Sequence, residues 1–159
     1  MNKSHKNESE NDGVLEAFFK ELNSVKHHHR SLVIIVNGYI ELFLNSIIEA
    51  KCKHGKKRIN KNTRDYTLSV KLTLLSELNI LDEKLFSLLD KFRKIRNDAA
   101  HDASFKISTA NWQILNDGLN RFIPDESNRK PNDLAHFCEL LIGTIWNEHL
   151  DILSKINLK

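Results

Sequence analysis

"SLVIIVNGYIELFLNSIIEA", residues 31–50, is the most hydrophobic segment of the chain. It approaches the roughly 20 residues that an apolar helix needs to cross a bilayer. Asn37, Glu41, Asn45 and Ser46 interrupt it, however, and such polar groups are costly in a membrane. We therefore predict that the segment is a buried helix at the centre of the fold, and that the protein does not associate with a membrane.

Apolar residues recur at helical spacing on both sides of this segment, which predicts an all-α helical bundle with one core. The chain has 159 residues but only five glycines and two prolines, so few turns are expected. We predict five to six helices in a single domain. The first helix is expected to start near Val14, and a later helix to lie around Leu68. Asp82 and Asn132 are the expected N-caps of two further helices, and the helix between these two is expected to end before Pro124.

Residues 1–12 are polar after the initiator Met and lack the apolar stretch of a secretory signal. They are predicted to be a disordered leader to a domain that spans residues 13–159. The two cysteines, Cys52 and Cys138, have no CxxC spacing, which is typical of reduced structural thiols. We expect a cytoplasmic protein without a cofactor.

Positive charge is concentrated in residues 51–66, called here the basic segment. It holds seven Lys and Arg against the single Asp65, although the net charge of the whole chain is only +3. We predict a polar connection between two helices whose cations contact nucleic-acid phosphates. The candidates are Lys56, Lys57, Arg58, Lys61 and Arg64, with Arg93 from the helix that follows Asp82. The alternative is a solvated linker that only keeps the protein soluble.

"KFRKIRNDAAHD", residues 91–102, places Arg96, Asn97 and His101 near the end of a predicted helix. At about 100° per residue, Arg96 falls inside the apolar stripe of that helix. A buried guanidinium needs a partner or a ligand. Glu41, the acidic residue inside the apolar segment, is the candidate structural partner, and an Arg96–Glu41 pair that only fixes helix packing is the alternative to a functional site.

Arg96 and His101 are five residues apart, about 140° around a regular helix. They converge on one ligand only if the helix ends or bends between them, or if a second chain contributes. The small residues Ala99 and Ala100 would let another helix approach there, which favours a dimeric site. Asp102 and Ser104 are expected to mark the end of the helix.

Arginine can hold a phosphate through two hydrogen bonds, and histidine can donate or accept a proton near neutral pH. Together, arginine and histidine suit cleavage of RNA by its own 2′-hydroxyl, a reaction that needs no metal. The triple histidine at residues 27–29 and the scattered single histidines lack paired zinc spacings, so we expect a polar helix junction there and no metal site.

"IRNDAAHD", residues 95–102, resembles the signature of the HEPN superfamily, in which four to six residues separate an Arg from a His and a polar residue, often Asn, directly follows the Arg. The order of "RSLVIIVNGYIELFL", "SVKLTLLSELNIL" and "KIRNDAAHDASF" is similar to bacterial HEPN-like proteins grouped with the mannitol-repressor-like and related families. The resemblance covers residues from about 15 to 105.

The resemblance implies a helical bundle that forms a homodimer with its two motifs facing each other. It also implies a metal-independent endoribonuclease, typical of toxins and phage-defence effectors, with RNA such as tRNA as substrate and a cognate antitoxin as a partner. Arg96 would position the scissile phosphate, His101 would transfer protons and Asn97 would support the geometry. Many members of the superfamily are instead inactive regulators or interaction modules, and the motif does not separate the two.

Overall fold

The computed structural model describes residues 13–61, 65–122 and 131–156. Within these ranges the chain is all-helical, as predicted, and has no strand. The predicted leader, residues 1–12, lies outside them. Eight helices are described: α1 (Gly13–Val25), α2 (His29–Lys51), α3 (Gly55–Lys61), α4 (Leu68–Glu77), α5 (Glu83–His101), α6 (Thr109–Leu119), α7 (Leu134–Glu148) and α8 (Leu150–Leu153).

Helix α2 lies at the centre, as its hydrophobicity predicts, and packs against α1, α3, α4, α5, α7 and α8. Each of the eight helices contributes at least one side chain to a connected hydrophobic core. By length and composition alone α2 could cross a membrane, but half of its most apolar 18-residue window is buried among the other helices. Burial of this kind is typical of a core helix.

Side-chain caps set where several helices begin. The Asp82 carboxylate accepts a hydrogen bond of 2.8 Å from the backbone N–H of Lys84, which confirms the predicted N-cap of α5. The predicted cap at Asn132 is wrong by one residue. Asp133 is the N-cap of α7, and its carboxylate accepts from the backbone N–H of His136 at 2.8 Å.

The expected five to six helices are too few, because two short helices were not predicted. Helix α3 lies in the basic segment, where we expected an irregular connection, and it is anchored by Ile59, which is 6% exposed. Helix α8 exists because the last predicted helix is interrupted at His149, whose φ of −125° and ψ of 30° are not helical. The apolar pattern continues across that interruption and so conceals it.

His149 leads to a prediction about pH. Its side chain is 8% exposed, and its Nε2 has no hydrogen-bond partner within the described ranges. Burial lowers the pKa of His149 below 6.5. As pH falls from about 7.5 to about 5, the imidazole of His149 takes up a proton more readily in the unfolded chain than in the folded protein. The free energy of unfolding therefore decreases. We expect it to rise between about pH 5 and about pH 7.5 by more in the wild type than in His149→Gln, as measured by urea denaturation. An equal rise in both proteins would contradict this assignment.

Candidate functional site

Helix α5 carries the motif and continues without interruption to His101. The residues expected to form its apolar stripe, Leu85, Leu88, Leu89, Phe92, Ile95 and Ala99, are all buried. The predicted exit is also confirmed: Asp102 is the C-cap residue, and its carboxylate accepts hydrogen bonds from the backbone N–H and the hydroxyl of Ser104 at 2.9 and 2.8 Å. The motif therefore occupies the last two turns of a rigid, well-packed helix.

Arg96 is half-buried, as its place in the apolar stripe predicts. Its Nη1 donates a hydrogen bond of 3.3 Å to the side-chain oxygen of Asn97. Its Nε is buried and finds no hydrogen-bond partner among the residues that the structure describes. A buried guanidinium nitrogen without a partner is costly, so packing alone does not explain an arginine at this position.

The Arg96 side chain lines a cleft of about 370 Å³ between α2, α4 and α5, called here the Arg96 cleft. Helix α5 contributes Arg93, Arg96 and Asn97, and α2 contributes Asn37 and Glu41. The remaining wall is residues 67–69 at the start of α4. Asn37 is 5% exposed, and its side-chain oxygen also lacks a partner within the described part of the chain. The cleft thus brings unused donors of α5 beside an unused acceptor of α2.

The predicted structural pair between Arg96 and Glu41 is not the one that forms. Glu41 instead makes an ion pair with Lys71 of α4, whose side chain is 5% exposed against 42% for Glu41. Arg96 and Glu41 line the same cleft without an ion pair between them. Lys71 is the partner of Glu41 in place of Arg96 because it projects from α4 toward α2. The apolar pattern of α5 contains no information about the orientation of α4. Arg96 keeps its charge available.

Arg93 is already committed within α5. Its Nη2 and the Nζ of Lys94 lie 2.7 and 2.8 Å from the two carboxylate oxygens of Asp90. Burial would raise the pKa of Asp90, but the hydrogen bonds from Lys94 and Arg93 outweigh it and hold that pKa below its usual value. Asp90 therefore partly neutralises Arg93. Of the two arginines in the cleft, Arg96 is the one without a carboxylate partner among the residues that the structure describes.

His101 is exposed and is not part of the Arg96 cleft. Because α5 is continuous, five residues separate Arg96 from His101 by about 140° and about 7.5 Å along the axis. One chain therefore does not bring Arg96 and His101 to a common point. Asn97 and His101 lie four residues apart on one side, both exposed to solvent. The structure brings together Arg96 and Asn97, and it leaves His101 available to a second chain.

The two alanines of the motif do not both remain on the surface. Ala99 is fully buried, and its carbonyl oxygen accepts a hydrogen bond of 2.9 Å from Nε of Arg30 on α2. We expected Ala99 to let a second chain approach, but its small size serves packing within its own chain. Ala100, which is half-buried, is the alanine still open to a neighbour. Arg30 ties the start of α2 to the end of α5.

The triple histidine lies at the junction of α1 and α2, as predicted, with His29 as the first residue of α2. His27 and His28 are exposed, whereas Nδ1 of His29 accepts a hydrogen bond of 3.2 Å from the backbone N–H of Ile107. His29 therefore helps to hold the segment that follows α5 in place. It is a structural contact beside the motif.

The predicted nucleic-acid contacts occupy two places. Lys56, Lys57 and Arg58 are exposed on α3, while Arg93 lies in the Arg96 cleft. Lys61 ends α3, and Arg64 lies outside the described residues. The two groups are more than 30 positions apart in the sequence but flank the same stretch, residues 65–70, because α4 packs against both α2 and α5.

Asn37, which lines the cleft, and Lys71, which pairs with the cleft residue Glu41, were not predicted as site residues. A signal existed for both. Asn37 is a polar residue inside an apolar helix, and Lys71 stands directly before Leu72 in the stripe of α4. Buried polar residues of this kind need partners, so each marks a place where two helices meet in a specific way.

The Glu41–Lys71 pair can be tested by a double-mutant cycle. Glu41→Gln leaves the buried Lys71 charge without its carboxylate, and we expect a loss of about 1–2 kcal/mol in the free energy of unfolding. The loss should be smaller than for a fully buried pair because Glu41 is partly exposed. Adding Lys71→Met to Glu41→Gln should recover most of it, as measured by urea denaturation. Additive effects of the two changes would show that the pair is not coupled.

Comparison of the chain with family models, with curated proteins and with solved structures finds no match. The resemblance to the HEPN superfamily therefore stays a prediction that rests on the residues of the motif and its flanks.

Proposed function

We propose that this protein is a cytoplasmic, metal-independent endoribonuclease of the HEPN type that acts as a homodimer. The observation that carries the proposal is Arg96. Its guanidinium lies in an open cleft, it has no carboxylate partner within the described residues, and its Nε is buried without an acceptor. A phosphate is a suitable ligand for the part of the guanidinium that faces the cleft, because guanidinium binds phosphate through short, charge-assisted hydrogen bonds.

The proposed reaction uses the RNA's own 2′-hydroxyl as nucleophile. The 2′-oxygen attacks the adjacent phosphorus and loses its proton to a base, while the bond from phosphorus to the 5′-oxygen breaks and that oxygen takes up a proton. The products are a 2′,3′-cyclic phosphate and a 5′-hydroxyl. Arg96 would neutralise the charge that develops on the phosphoryl oxygens, and His101 would transfer a proton. Asn97 would hold Arg96 through the hydrogen bond seen within the chain.

A second chain completes the proposed site. Arg96 and His101 of one chain face directions about 140° apart on a continuous helix. If two α5 helices meet near their carboxyl ends, Arg96 of one protomer lies beside His101 of the other. The exposed His101 and Asn97 and the half-buried Ala100 are the surface on which such a contact would form. We propose that such a dimeric endoribonuclease acts in the cell as a toxin or phage-defence effector that a cognate antitoxin restrains.

The test of the proposal is RNA cleavage in EDTA. Wild type is incubated with total RNA and with tRNA, beside Arg96→Ala, His101→Ala and the exposed-surface control Arg121→Ala. We expect cleavage with cyclic-phosphate ends, a loss of about 100-fold or more in each motif variant, and no change in the control. Absence of cleavage by the wild type, or cleavage that survives both motif changes, would overturn the proposal.

The second candidate function is a non-enzymatic regulator or interaction module of HEPN fold, in which the motif supports packing. The position of His101 outside the Arg96 cleft favours it. Thermal unfolding of Arg96→Ala separates the two candidates. Removal of a residue whose main role is packing should lower the melting temperature by several degrees. Removal of a site residue that lacks an internal carboxylate partner should lower it little.

A further inference from the structure

A second cavity, of about 540 Å³, is lined by Asp65, Tyr66 and Val70, which border the residues 67–69 that line the Arg96 cleft. Its walls come from the end of α2, the segment that leads into α3, and the first turns of α4. We call it the Tyr66 pocket, after the half-buried tyrosine that lines it. Its volume is within the range of pockets that hold small organic groups.

A glycine holds the wall of this pocket in place. Gly55, the first residue of α3, is buried, and a Cβ atom added there would lie 2.4 Å from the carbonyl oxygen of Ile48 on α2. The start of α3 therefore approaches the backbone of α2 more closely than any residue with a side chain would allow. Ile59, one turn later, is buried in the core. These two contacts fix α3 against α2, and the pocket lies between this pair and α4.

The pocket combines an apolar floor with a basic rim. Ile48 is buried, Leu74 is half-buried, and Val70 presents a side chain that is 43% exposed. Lys53, His54 and Arg58 are exposed on the rim, and Asp65 is the acidic residue that lines the pocket. An apolar floor beside an aromatic ring suits the flat face of a nucleobase, and rim cations suit the phosphate attached to it.

We propose that the Tyr66 pocket binds one unpaired nucleotide of single-stranded RNA, with the base against Tyr66 and Val70 and the phosphate at Arg58 and Lys53. This inference rests on the proposed function, since it assigns the site next to the Arg96 cleft to the same RNA strand. Tyr66 lines the pocket and the next residue, Thr67, lines the cleft, so the two cavities adjoin the same stretch of chain. A strand whose phosphate lies at Arg96 would place a neighbouring base in the Tyr66 pocket.

The charge of the rim distinguishes RNA from an apolar peptide as the occupant. Lys53 and Arg58 line the pocket, and Lys51, Lys56 and Lys57 are their neighbours in the sequence. The exposed cations on α3 have no carboxylate partner among the described residues. A phosphodiester supplies the opposite charge at every residue of the ligand. Recognition by stacking also accepts any base, so we expect weak sequence preference.

The test measures binding without catalysis. A fluorescein-labelled single-stranded RNA carrying 2′-O-methyl groups, which cannot be cleaved by its own 2′-oxygen, is titrated with full-length protein in EDTA and followed by anisotropy. Val70→Glu puts a carboxylate into the pocket at an exposed position, so the fold should tolerate it. Ile114→Glu is the matched control, because Ile114 on α6 is also 43% exposed and lies away from the pocket.

We expect Val70→Glu to weaken binding about tenfold or more, Tyr66→Ala to do the same, and Ile114→Glu to bind like the wild type. Tyr66→Phe should retain affinity because the aromatic face is kept. An RNA of the same length without bases should bind the wild type more weakly than the intact RNA by the same factor. Val70→Glu should not weaken the binding of this abasic RNA further. Equal binding by Val70→Glu and Ile114→Glu, or undiminished binding of the abasic RNA, would overturn the proposal, as would a failure of the wild type to bind.

Cys52 supplies an independent readout, because it lines the pocket while Cys138 is fully buried. The unlabelled RNA should slow alkylation of Cys52 by iodoacetamide in the wild type but not in Val70→Glu. An alkylation rate that RNA leaves unchanged would contradict the pocket assignment. If the pocket variants lose binding while no RNA is cleaved in EDTA, the nucleotide site stands and the nuclease proposal falls. If Val70→Glu instead cleaves RNA as the wild type does, the nuclease proposal stands and the nucleotide site falls.

Discussion

Mixing Arg96→Ala protein with His101→Ala protein is expected to restore about a quarter of the RNase activity proposed for the wild type, although each variant alone is expected to be inactive. The reason is the geometry of α5. Its continuous helix turns Arg96 and His101 about 140° apart, so each proposed site takes Arg96 from one protomer and His101 from the other. In a mixed dimer one site then has both residues intact, and the other site lacks both.

Random exchange of protomers makes about half of the dimers mixed, and each mixed dimer has one active site in place of two. The measurement is cleavage of tRNA in EDTA after the two variants are unfolded together and refolded, with each variant refolded alone as the background. A double variant, Arg96→Ala with His101→Ala, mixed with wild type is the control for exchange. Its mixed dimers have no complete site, so activity should fall below that expected from the remaining wild-type chains.

A mixture as inactive as its components would contradict a site shared between chains. It would leave two possibilities: a site within one chain, or a motif that only supports packing. Equal thermal stability of the refolded mixture and the wild type is needed to exclude simple misfolding. Size-exclusion chromatography of the wild type at the assay concentration measures the dimer that the mixture requires.

Local pattern was sufficient for the direction of side chains on α5. The 100° periodicity placed Arg96 in the apolar stripe, and the structure finds Arg96 half-buried beside six fully buried stripe residues. It was also sufficient for the start and end of that helix, because Asp82 and Asp102 each bond to backbone or side-chain groups a few residues away. Such information is local, so one stretch of sequence contains it.

Partners from distant elements could not be predicted in the same way. Glu41 was expected to pair with Arg96, but Lys71 reaches it from α4, and the sequence does not state which face of α4 lies against α2. Helix α3 was missed for a related reason. A seven-residue helix is marginal by itself, and α3 is stabilised by the burial of Ile59 and the close approach of Gly55 to Ile48.

The cleft follows from the same tertiary arrangement. Asn37 and Arg96 are 59 positions apart, and each leaves a buried polar atom without a partner within the described ranges. Arg96 could be identified from the sequence because this arginine interrupts an apolar stripe. Asn37 could be identified only as an interruption of α2. That the two line one cavity depends on the packing of α2 against α5, which is the most extensive pairing of helices in the fold.

Removing the ring of Phe92 is expected to have the largest effect on stability. Phe92 is fully buried on α5, one turn before Arg96, and its ring stacks on that of Phe137 from α7 with centroids 6.2 Å apart. Phe137 in turn meets Trp112 of α6 edge-on at 6.1 Å. The side chain of Phe92 therefore connects the motif helix to two others.

Phe92→Ala should lower the free energy of unfolding by about 3–5 kcal/mol, because it loses the buried ring and leaves a cavity beside Phe137. Total stabilities of such domains are about 5–15 kcal/mol, so the variant should be marginal at physiological temperature. Urea denaturation followed by tryptophan fluorescence measures the change, and Phe19→Ala is the matched control because Phe19 is 39% exposed on α1. The control should cost about 1 kcal/mol or less. Equal losses in the two variants would mean that α5 does not pack on α7 through Phe92, and the placement of Arg96 in its cleft would then lose its support.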